Sequence, residues 1–332
     1  MPLHDLLGTR ESLMKLKWTN SDIPKLNGKT ALVTGASRGI GWEIARQLAA
    51  HGAEVVVAAR DKNGTEQAIQ QIKSVVPGAK VEAQLLDLAD LKSVQQFAQE
   101  FLAKHEGLDI LVNNAGVFSG PYRKTKDGFE SHFGINYLGH FALTGLLLPA
   151  LAVRKGSRVV TMSSLIASKG KIKFDDLNRE KKYEFNDAYA QSKLANLIFG
   201  LELDRRCREA GLEVTSFAAN PGAVNTKMLM GNETAWGRRP SFKERLLQGV
   251  LTTFGLPAEK GALPALYQAT DPQAKSSEYV IGTMWPKSGI PSVGKIPVNA
   301  IDQTIAKQLW EVSEKLTGVH YNWRSTPKLA SL

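Results

Sequence analysis

A doubly wound α/β fold, with helices on both faces of a parallel sheet, is what these 332 residues predict. Three observations carry the prediction. Short β-branched runs alternate with amphipathic helical segments through six units. A glycine-rich turn, Thr34 to Gly41, stands at the first strand-to-helix junction. No repeat or linker divides the chain, so one domain is expected over 28–320, between a lead-in at 1–27 and a tail at 321–332. Strand–helix alternation demands crossovers, which cover both faces of a parallel sheet. Right-handed crossovers wind the sheet, and ligands then bind at the carboxyl ends of its strands.

Thr30 to Thr34 (TALVT) reads as a buried strand, and Ile40 to His51 as a helix with Ile44, Ala45, Leu48 and Ala49 on one face. Glu54 to Ala58 is a second strand and Asn63 to Val76 a helix; Lys80 to Leu86 is a third strand and Leu91 to His105 a helix. Asp109 to Asn113 (DILVN) makes a fourth strand, followed by a long helix from Asp127 to Val153, bent near Pro149. Ser157 to Ser163 is the fifth strand, Asn186 to Ala210 a second long helix, and Glu213 to Ala219 the sixth strand. Regularity breaks after Pro221-Gly222, where 223–256 forms a substrate-loop region with one amphipathic piece, Phe242 to Phe254. A helix over Ala258 to Ala269, a seventh strand at Tyr279 to Ile281 and a last helix from Ala300 to Leu316 complete the expectation of about seven strands.

Composition narrows the function classes. Apolar residues make up 43% and charged residues 22%, which is ordinary globular material. The 42 Lys+Arg against 32 Asp+Glu give a net charge of +10, but the basic residues are scattered apart from a cluster between Lys169 and Lys182. Without a basic stripe interleaved with aromatics, no nucleic-acid partner is expected. Cys207 is the only cysteine, so no intramolecular disulfide forms, and a reducing, cytoplasmic location is the expectation. Six histidines lack zinc-type spacing, so no metal site is expected. The first residues, with Asp5 and Glu11, do not read as a secretory signal. The longest apolar stretch, Phe141 to Val153, reads as too short for a transmembrane segment.

In Thr34-Gly35-Ala36-Ser37-Arg38-Gly39-Ile40-Gly41, glycines at 35, 39 and 41 remove Cβ atoms where backbone turns tightly and approaches a pyrophosphate. The helix N-terminus behind them adds unpaired N–H groups for phosphate. The bland alternative is a tight turn without ligand. Charge argues the type of dinucleotide: an acid closing the second strand would bind the ribose diol of NAD and repel a 2′-phosphate. Ala59 stands there instead, followed by Arg60, and Arg38 converges from the glycine loop. Two guanidiniums suit a phosphate dianion, so NADP(H) is favoured over NAD(H). Asp61 is read as a helix cap, and Arg60 as a plain surface residue is the competing view.

Tyr189 and Lys193 lie four apart in a helix and share a face. An ammonium beside a phenol favours phenolate and suits the pair to general acid/base work. Tyr-x-x-x-Lys is common by chance, so context matters. Ser163-Ser164 closes the fifth strand, Asn113-Asn114-Ala115-Gly116 closes the fourth, and Asn136 sits in the helix between them among Ile135, Leu138 and Phe141.

Together with Pro221-Gly222, these motifs resemble the short-chain dehydrogenase/reductase family, in order and spacing, over about residues 28–225. The resemblance implies a Rossmann-type sheet and hydride transfer between a nicotinamide and a carbonyl or alcohol. It implies Tyr189 as proton donor/acceptor, Ser164 as hydrogen-bond partner of the substrate oxygen, and Lys193 as ribose ligand and tuner of Tyr189. Asn136 would hold a water in a proton relay. Asp87, with Leu88 beside it, would lie near the adenine; Asn113, Ala115 and Gly116 would line the cleft with Gly35, Ser37, Arg38, Gly39, Ile40 and Gly41. Pro221 and Gly222 would bind the cofactor, and Thr226 would stand near the nicotinamide carboxamide.

The separation of 25 positions from Ser164 to Tyr189, with Lys171 to Leu177 inserted, is similar to that of the retinol dehydrogenase and protochlorophyllide reductase-like branch. That branch implies a small lipophilic aldehyde, ketone or alcohol as substrate, retinal-, steroid- or terpenoid-like. The 223–256 region reads either as a lid or as a helix packed on the domain edge. Lys171, Lys173, Lys181 and Lys182 read as a solvated loop, with an acidic substrate tail as the alternative. The two long helices have broad apolar faces, and family members often pair through them, so a homodimer or homotetramer is expected. Two rival functions stay open: a non-catalytic NADP-binding sensor or scaffold, and a light-dependent protochlorophyllide-type reductase.

Overall fold

The computed structural model describes residues 14–118, 120–224, 256–276, 278–282 and 290–323. Its centre is one nine-stranded sheet in the order β1-β9-β8-β7-β6-β5-β2-β3-β4. The strands are β1 Met14–Lys15, β2 Thr30–Thr34, β3 Glu54–Ala59, β4 Val81–Leu85, β5 Ile110–Asn113, β6 Ser157–Met162, β7 Val214–Asn220, β8 Tyr279–Gly282 and β9 Pro291–Gly294. Strands β2 to β8 are mutually parallel, as the alternation predicts. The count of about seven misses β9 and β1, which add antiparallel at one edge. Both are short and lack the β-branched run that marks the others.

The chain winds from β2 outward to β4 and then from β5 outward to β8, so the order reverses between β2 and β5. A crevice opens at the carboxyl ends of strands flanking such a reversal, and it is the preferred ligand position of open α/β sheets.

The helices are α1 Gly39–Ala50, α2 Lys62–Val75, α3 Leu91–Lys104, α4 Gly139–Ala152, α5 Phe185–Glu209, α6 Ala258–Thr270 and α7 Gln303–Thr317. Two apolar clusters cover the two sheet faces, one built on α3, α4, α5 and α7, the other on α1, α2 and α6. The lead-in joins the second through buried Trp18, Ile23 and Leu26.

The helix expected from Asp127 begins later. Gly128 is left-handed (φ 87°), and the buried Glu130 carboxylate accepts the backbone N–H groups of His132 and Phe133, which fixes the helix start there. A π-helical turn, His132–Leu138, leads into α4, which runs through Pro149. This 21-residue stretch, His132–Ala152, is long and apolar enough to cross a membrane, longer than the run expected from the sequence, but 78% of its most apolar window is buried inside the protein.

The apolar faces of α4 and α5 are met within the same chain. Trp310 on α7 packs edge-on against Phe141 at 5.0 Å and stacks near Phe199 at 5.9 Å, while the Arg206 guanidinium lies 4.4 Å over its ring. Tyr321 follows into the same groove and donates to the Phe141 carbonyl at 2.7 Å. Gly145 makes room for it: a Cβ there would stand 2.6 Å from the Tyr321 ring.

Candidate active site

The glycine turn takes the form its sequence demands. Gly35 and Gly39 adopt φ of 66° and 62°, where side chains are strained. A Cβ on Gly35 would stand 2.8 Å from the Ala115 backbone, and one on Gly41 2.6 Å from the Gly35 carbonyl. Strand β2 therefore passes into α1 in contact with the Asn113-to-Gly116 loop. Arg38 is the N-cap of α1 and makes no capping hydrogen bond with its side chain, so the first N–H groups of the helix remain for a phosphate. Open space beside Gly39 lets a ligand approach. These features fit a dinucleotide.

Arg38 and Arg60 are both exposed at this end, as a 2′-phosphate pair would need to be. Asp61 occupies the N-cap of α2 but makes no side-chain cap bond; Thr65 reaches the Asp61 carbonyl instead, so the expected capping carboxylate is free of that duty. Asp87 is half-buried, with Oδ1 accepting from the Ala89 N–H, and Leu88 is buried beneath Gly139. Ser37, Ile40, Ala115, Pro221 and Gly222 are each partly accessible around the crevice. Gly222, left-handed at φ 76°, turns tightly against the Gly282 carbonyl. Thr226 and the amphipathic piece 242–254 lie outside the described residues.

Asn113 departs from expectation. It is buried beneath the crevice, and its Nδ2 donates to Thr144 at 3.0 Å and Thr161 at 3.3 Å. Strand alternation turns this side chain into the core, and it is Asn114 whose Nδ2 donates to the Thr34 carbonyl at 2.8 Å.

At the other side of the crevice the structure gathers Ser164, Tyr189, Lys193 and Asn136. Ser164 follows β6, and Tyr189 and Lys193 share one face of α5. Tyr189 is partly accessible, and its phenol is pushed up to about 12 by burial, with a hydrogen bond from Ser164 acting the other way. Lys193 is buried and brought down to about 8 by desolvation; its Nζ donates to the Met162 carbonyl at 3.1 Å and lies 5.9 Å from the Tyr189 ring centre. The ammonium thus stands beside the phenol's ring, but burial raises the phenol, and the expected lowering is not found.

Asn136 faces inward from the π turn. Its Oδ1 accepts from the Val117 N–H at 2.7 Å, and its Nδ2 donates to the Val117 carbonyl at 3.1 Å and Ser192 Oγ at 3.0 Å. Gly116 closes over the pair, because a Cβ there would lie 3.3 Å from Asn136 Oδ1 and 3.6 Å from Lys193 Nζ.

Two residues escaped the sequence reading. Tyr279 on β8 donates to the Ser164 carbonyl at 3.3 Å and so pins the serine; a strand tyrosine distant in sequence carries no signal for this. His140, one turn after Asn136, was within reach of helical spacing. Its Nδ1 bonds the Asn136 carbonyl at 2.9 Å, which can only accept, so Nδ1 carries the proton. Its Nε2 then accepts from Thr34 Oγ1 at 2.9 Å, while that oxygen accepts the N–H groups of Asn114 and Ala115. Burial lowers this imidazole to about 4, so it is neutral. Cys207 is a buried bystander whose thiol is pushed up by burial. No cluster of metal-binding side chains is present among the described residues.

Comparison with known proteins places these features in context. The family profile of short chain dehydrogenases matches residues 29–236. Retinol dehydrogenase 12 of Mus musculus is 40% identical over 307 residues, covering 91% of this chain and 90% of that protein. A crystal structure of an uncharacterized protein from Mycobacterium Paratuberculosis superposes with a TM-score of 0.74 at 37% identity, over 92% of this chain and 99% of that one. A metagenomic short-chain oxidoreductase solved in complex with NADP matches with a TM-score of 0.56 at 25% identity, over 77% of this chain and 98% of its own.

Proposed function

The chain belongs to the short chain dehydrogenase family, in its retinol dehydrogenase-like branch, and from that premise we propose that this oxidoreductase uses NADP(H) to interconvert a small lipophilic carbonyl compound and its alcohol. The observation that carries the reading is a partly accessible Tyr189 set between Ser164 and Lys193, across the crevice from an open glycine turn. The Asp-free end of β3, with Arg38 and Arg60 exposed beside it, supports the phosphate-bearing cofactor, as does the NADP complex of a related oxidoreductase.

The nicotinamide, when bound, supplies or accepts the hydride. The protein's own groups handle the oxygen and its proton. Ser164 Oγ and the Tyr189 hydroxyl donate to the substrate oxygen, and Tyr189 gives up its proton as negative charge develops there. Lys193, protonated below about 8, stabilises the phenolate left behind, which offsets the burial that holds the phenol up. Asn136 keeps the Val117 backbone and the Ser192 hydroxyl in place around this proton path. Oxidation runs the same groups in reverse.

A homodimer or homotetramer remains part of the proposal, through surfaces other than the strip of α4 and α5 held by α7; light scattering tests it. Residence in the cytoplasm, argued from the single cysteine, is tested by fractionation. The deciding experiment is NADPH consumption against aliphatic, aromatic, steroid and terpenoid carbonyls, repeated with NADH. Turnover with NADPH at least about tenfold more efficient supports the reading, tenfold being about 1.4 kcal/mol of discrimination. Equal use of NADH overturns the cofactor assignment, and no turnover of any carbonyl overturns the reaction.

A further inference from the structure

Beyond Tyr189, two chain segments run side by side and carry two aromatic layers. The inner layer is Phe118 and Phe185, 4.5 Å apart and edge-on, with Phe118 also 4.7 Å from the Tyr189 ring. The outer layer is Tyr122 and Tyr183 on the same two segments, 5.2 Å apart. Here the wall changes from apolar to polar, and a cavity of about 290 Å³ opens, lined by Tyr122, Lys124, Arg179, Glu180 and Tyr183.

Arg179 is the unusual member. It is 6% exposed, and among the described residues no carboxylate lies within ion-pair distance of it. Its Nη2 reaches only the carbonyls of Lys171 and Asp187, at 3.3 and 3.4 Å, and its buried Nε has no partner. The Tyr122 and Tyr183 hydroxyls are likewise buried and unpartnered. A buried guanidinium without a counter-charge is strongly disfavoured, and a planar fork of donors matches a carboxylate. The neighbouring acids are engaged elsewhere: Glu180 with Lys124 at 2.6 Å, Asp176 with the backbone N–H groups of Glu180 and Lys181, and Glu130 with His132. None of them serves Arg179.

We propose that this cavity is a carboxylate-binding subsite, in which Arg179, Tyr122 and Tyr183 hold the far end of the substrate. The inference rests on the carbonyl-reductase reading above and refines its substrate class: an elongated compound with an apolar middle against Phe118 and Phe185, a carbonyl or alcohol at one end and a carboxylate at the other. The acidic-tail role weighed for the lysines between 171 and 182 is thus given to the buried Arg179 among them.

The test compares ω-oxo acids of increasing chain length with plain aldehydes of the same length, using NADPH consumption by the full chain. At the length that spans Tyr189 and the cavity, the oxo acid should show a KM about tenfold or more below that of its plain aldehyde, the size expected of hydrogen bonds to a charged group. The paired variant Tyr122→Phe and Tyr183→Phe keeps both rings and should raise the oxo-acid KM severalfold while leaving kcat and the plain aldehyde unchanged. Arg179→Lys should do the same more strongly. A merely structural Arg179 would depress both substrates together. Binding of sodium decanoate to the NADPH-loaded chain, followed by calorimetry, decides independently: it should be measurable in the parent and at least about tenfold weaker in Arg179→Lys. Oxo acids no better than plain aldehydes at every length, or decanoate binding indifferent to all three changes, overturns the subsite. Turnover of no aldehyde at all, with decanoate still bound and lost in Arg179→Lys, sinks the reaction and leaves the subsite standing.

Discussion

The two walls of the crevice are built on opposite principles. On the α1 side, side chains stay unpartnered and exposed: Arg38 caps nothing with its side chain, Arg60 faces solvent, and the glycines supply shape by having no side chain. On the α4–α5 side, the groups that position the chemistry are buried and bonded to the protein. Asn136 holds Val117 and Ser192, Ser163 Oγ donates to the Lys193 carbonyl at 2.8 Å, and Tyr279 holds Ser164. The open wall binds a large charged ligand with little reorganisation. The locked wall keeps a few groups in one geometry for chemistry, where misplacement by an ångström is costly. Changes on one wall should alter affinity, and on the other turnover.

The sharpest way to break this contrast is Tyr189→Phe. Removing one hydroxyl from the locked wall should lower kcat by about 10²–10⁴-fold, the range for a lost general acid/base. NADPH affinity, read by fluorescence titration, should stay within about twofold, and the thermal midpoint should hardly move, because the ring keeps its contacts with Phe118 and His132. A variant that also loses NADPH would show that the walls are not separate.

On the open wall, Arg60→Ala and Arg38→Ala should each weaken NADPH by about 10- to 100-fold, as hydrogen bonds to charged groups are worth about 1.5–3 kcal/mol. NADH should be unaffected or improved, since the same contact is absent there. The NADPH penalty should shrink at high salt, because exposed charges are screened over about 8 Å at physiological ionic strength. Saturating turnover should be unchanged. A loss of kcat at saturating NADPH would contradict the division.

The two walls also differ in how far the sequence reveals them. Glycine positions, the Arg60 that follows Ala59 at the end of the second strand, and a Tyr–Lys pair on one helix face are local patterns, and each is where its spacing predicts. The lock is not local. Tyr279 meets Ser164 across 115 positions and Tyr137 meets Ser313 across 176, and nothing in either neighbourhood marks the partner. Asn113 shows a subtler failure: the motif is right, but strand alternation decides which of two adjacent asparagines faces the crevice, and one residue of register reverses the answer. Edge strands are illegible for a third reason: β1 has only two residues, and β9, as long as β5 and β8, has only one β-branched residue between its Pro and Gly. The expected effect of Lys193 on Tyr189 fails on burial, which sequence spacing does not report.

His140 is the seam between the walls, and it supplies the smallest of these effects and the most specific. It ties the Asn136 carbonyl to Thr34 at the mouth of the glycine turn, and only its neutral form makes both bonds. His140→Leu fills the space but removes the bonds to the Asn136 carbonyl and to the Thr34 hydroxyl, which keeps only its 3.4 Å bond to the Val112 carbonyl as donor, at about 1–3 kcal/mol of unfolding free energy near pH 7. The pH dependence gives the signature. With the folded imidazole at about 4 and an unfolded value near 6.5, the unfolded chain binds the extra proton between these two. The parent therefore loses stability as pH falls from about 6.5 towards 4, by at most about 1.4 kcal/mol per unit from this group. The leucine variant has no such proton to take up, so the gap between the two should narrow as the solution is acidified. Denaturant unfolding at several pH values measures it. A gap that stays constant would mean that His140 is not held neutral between Asn136 and Thr34, and that the walls meet elsewhere.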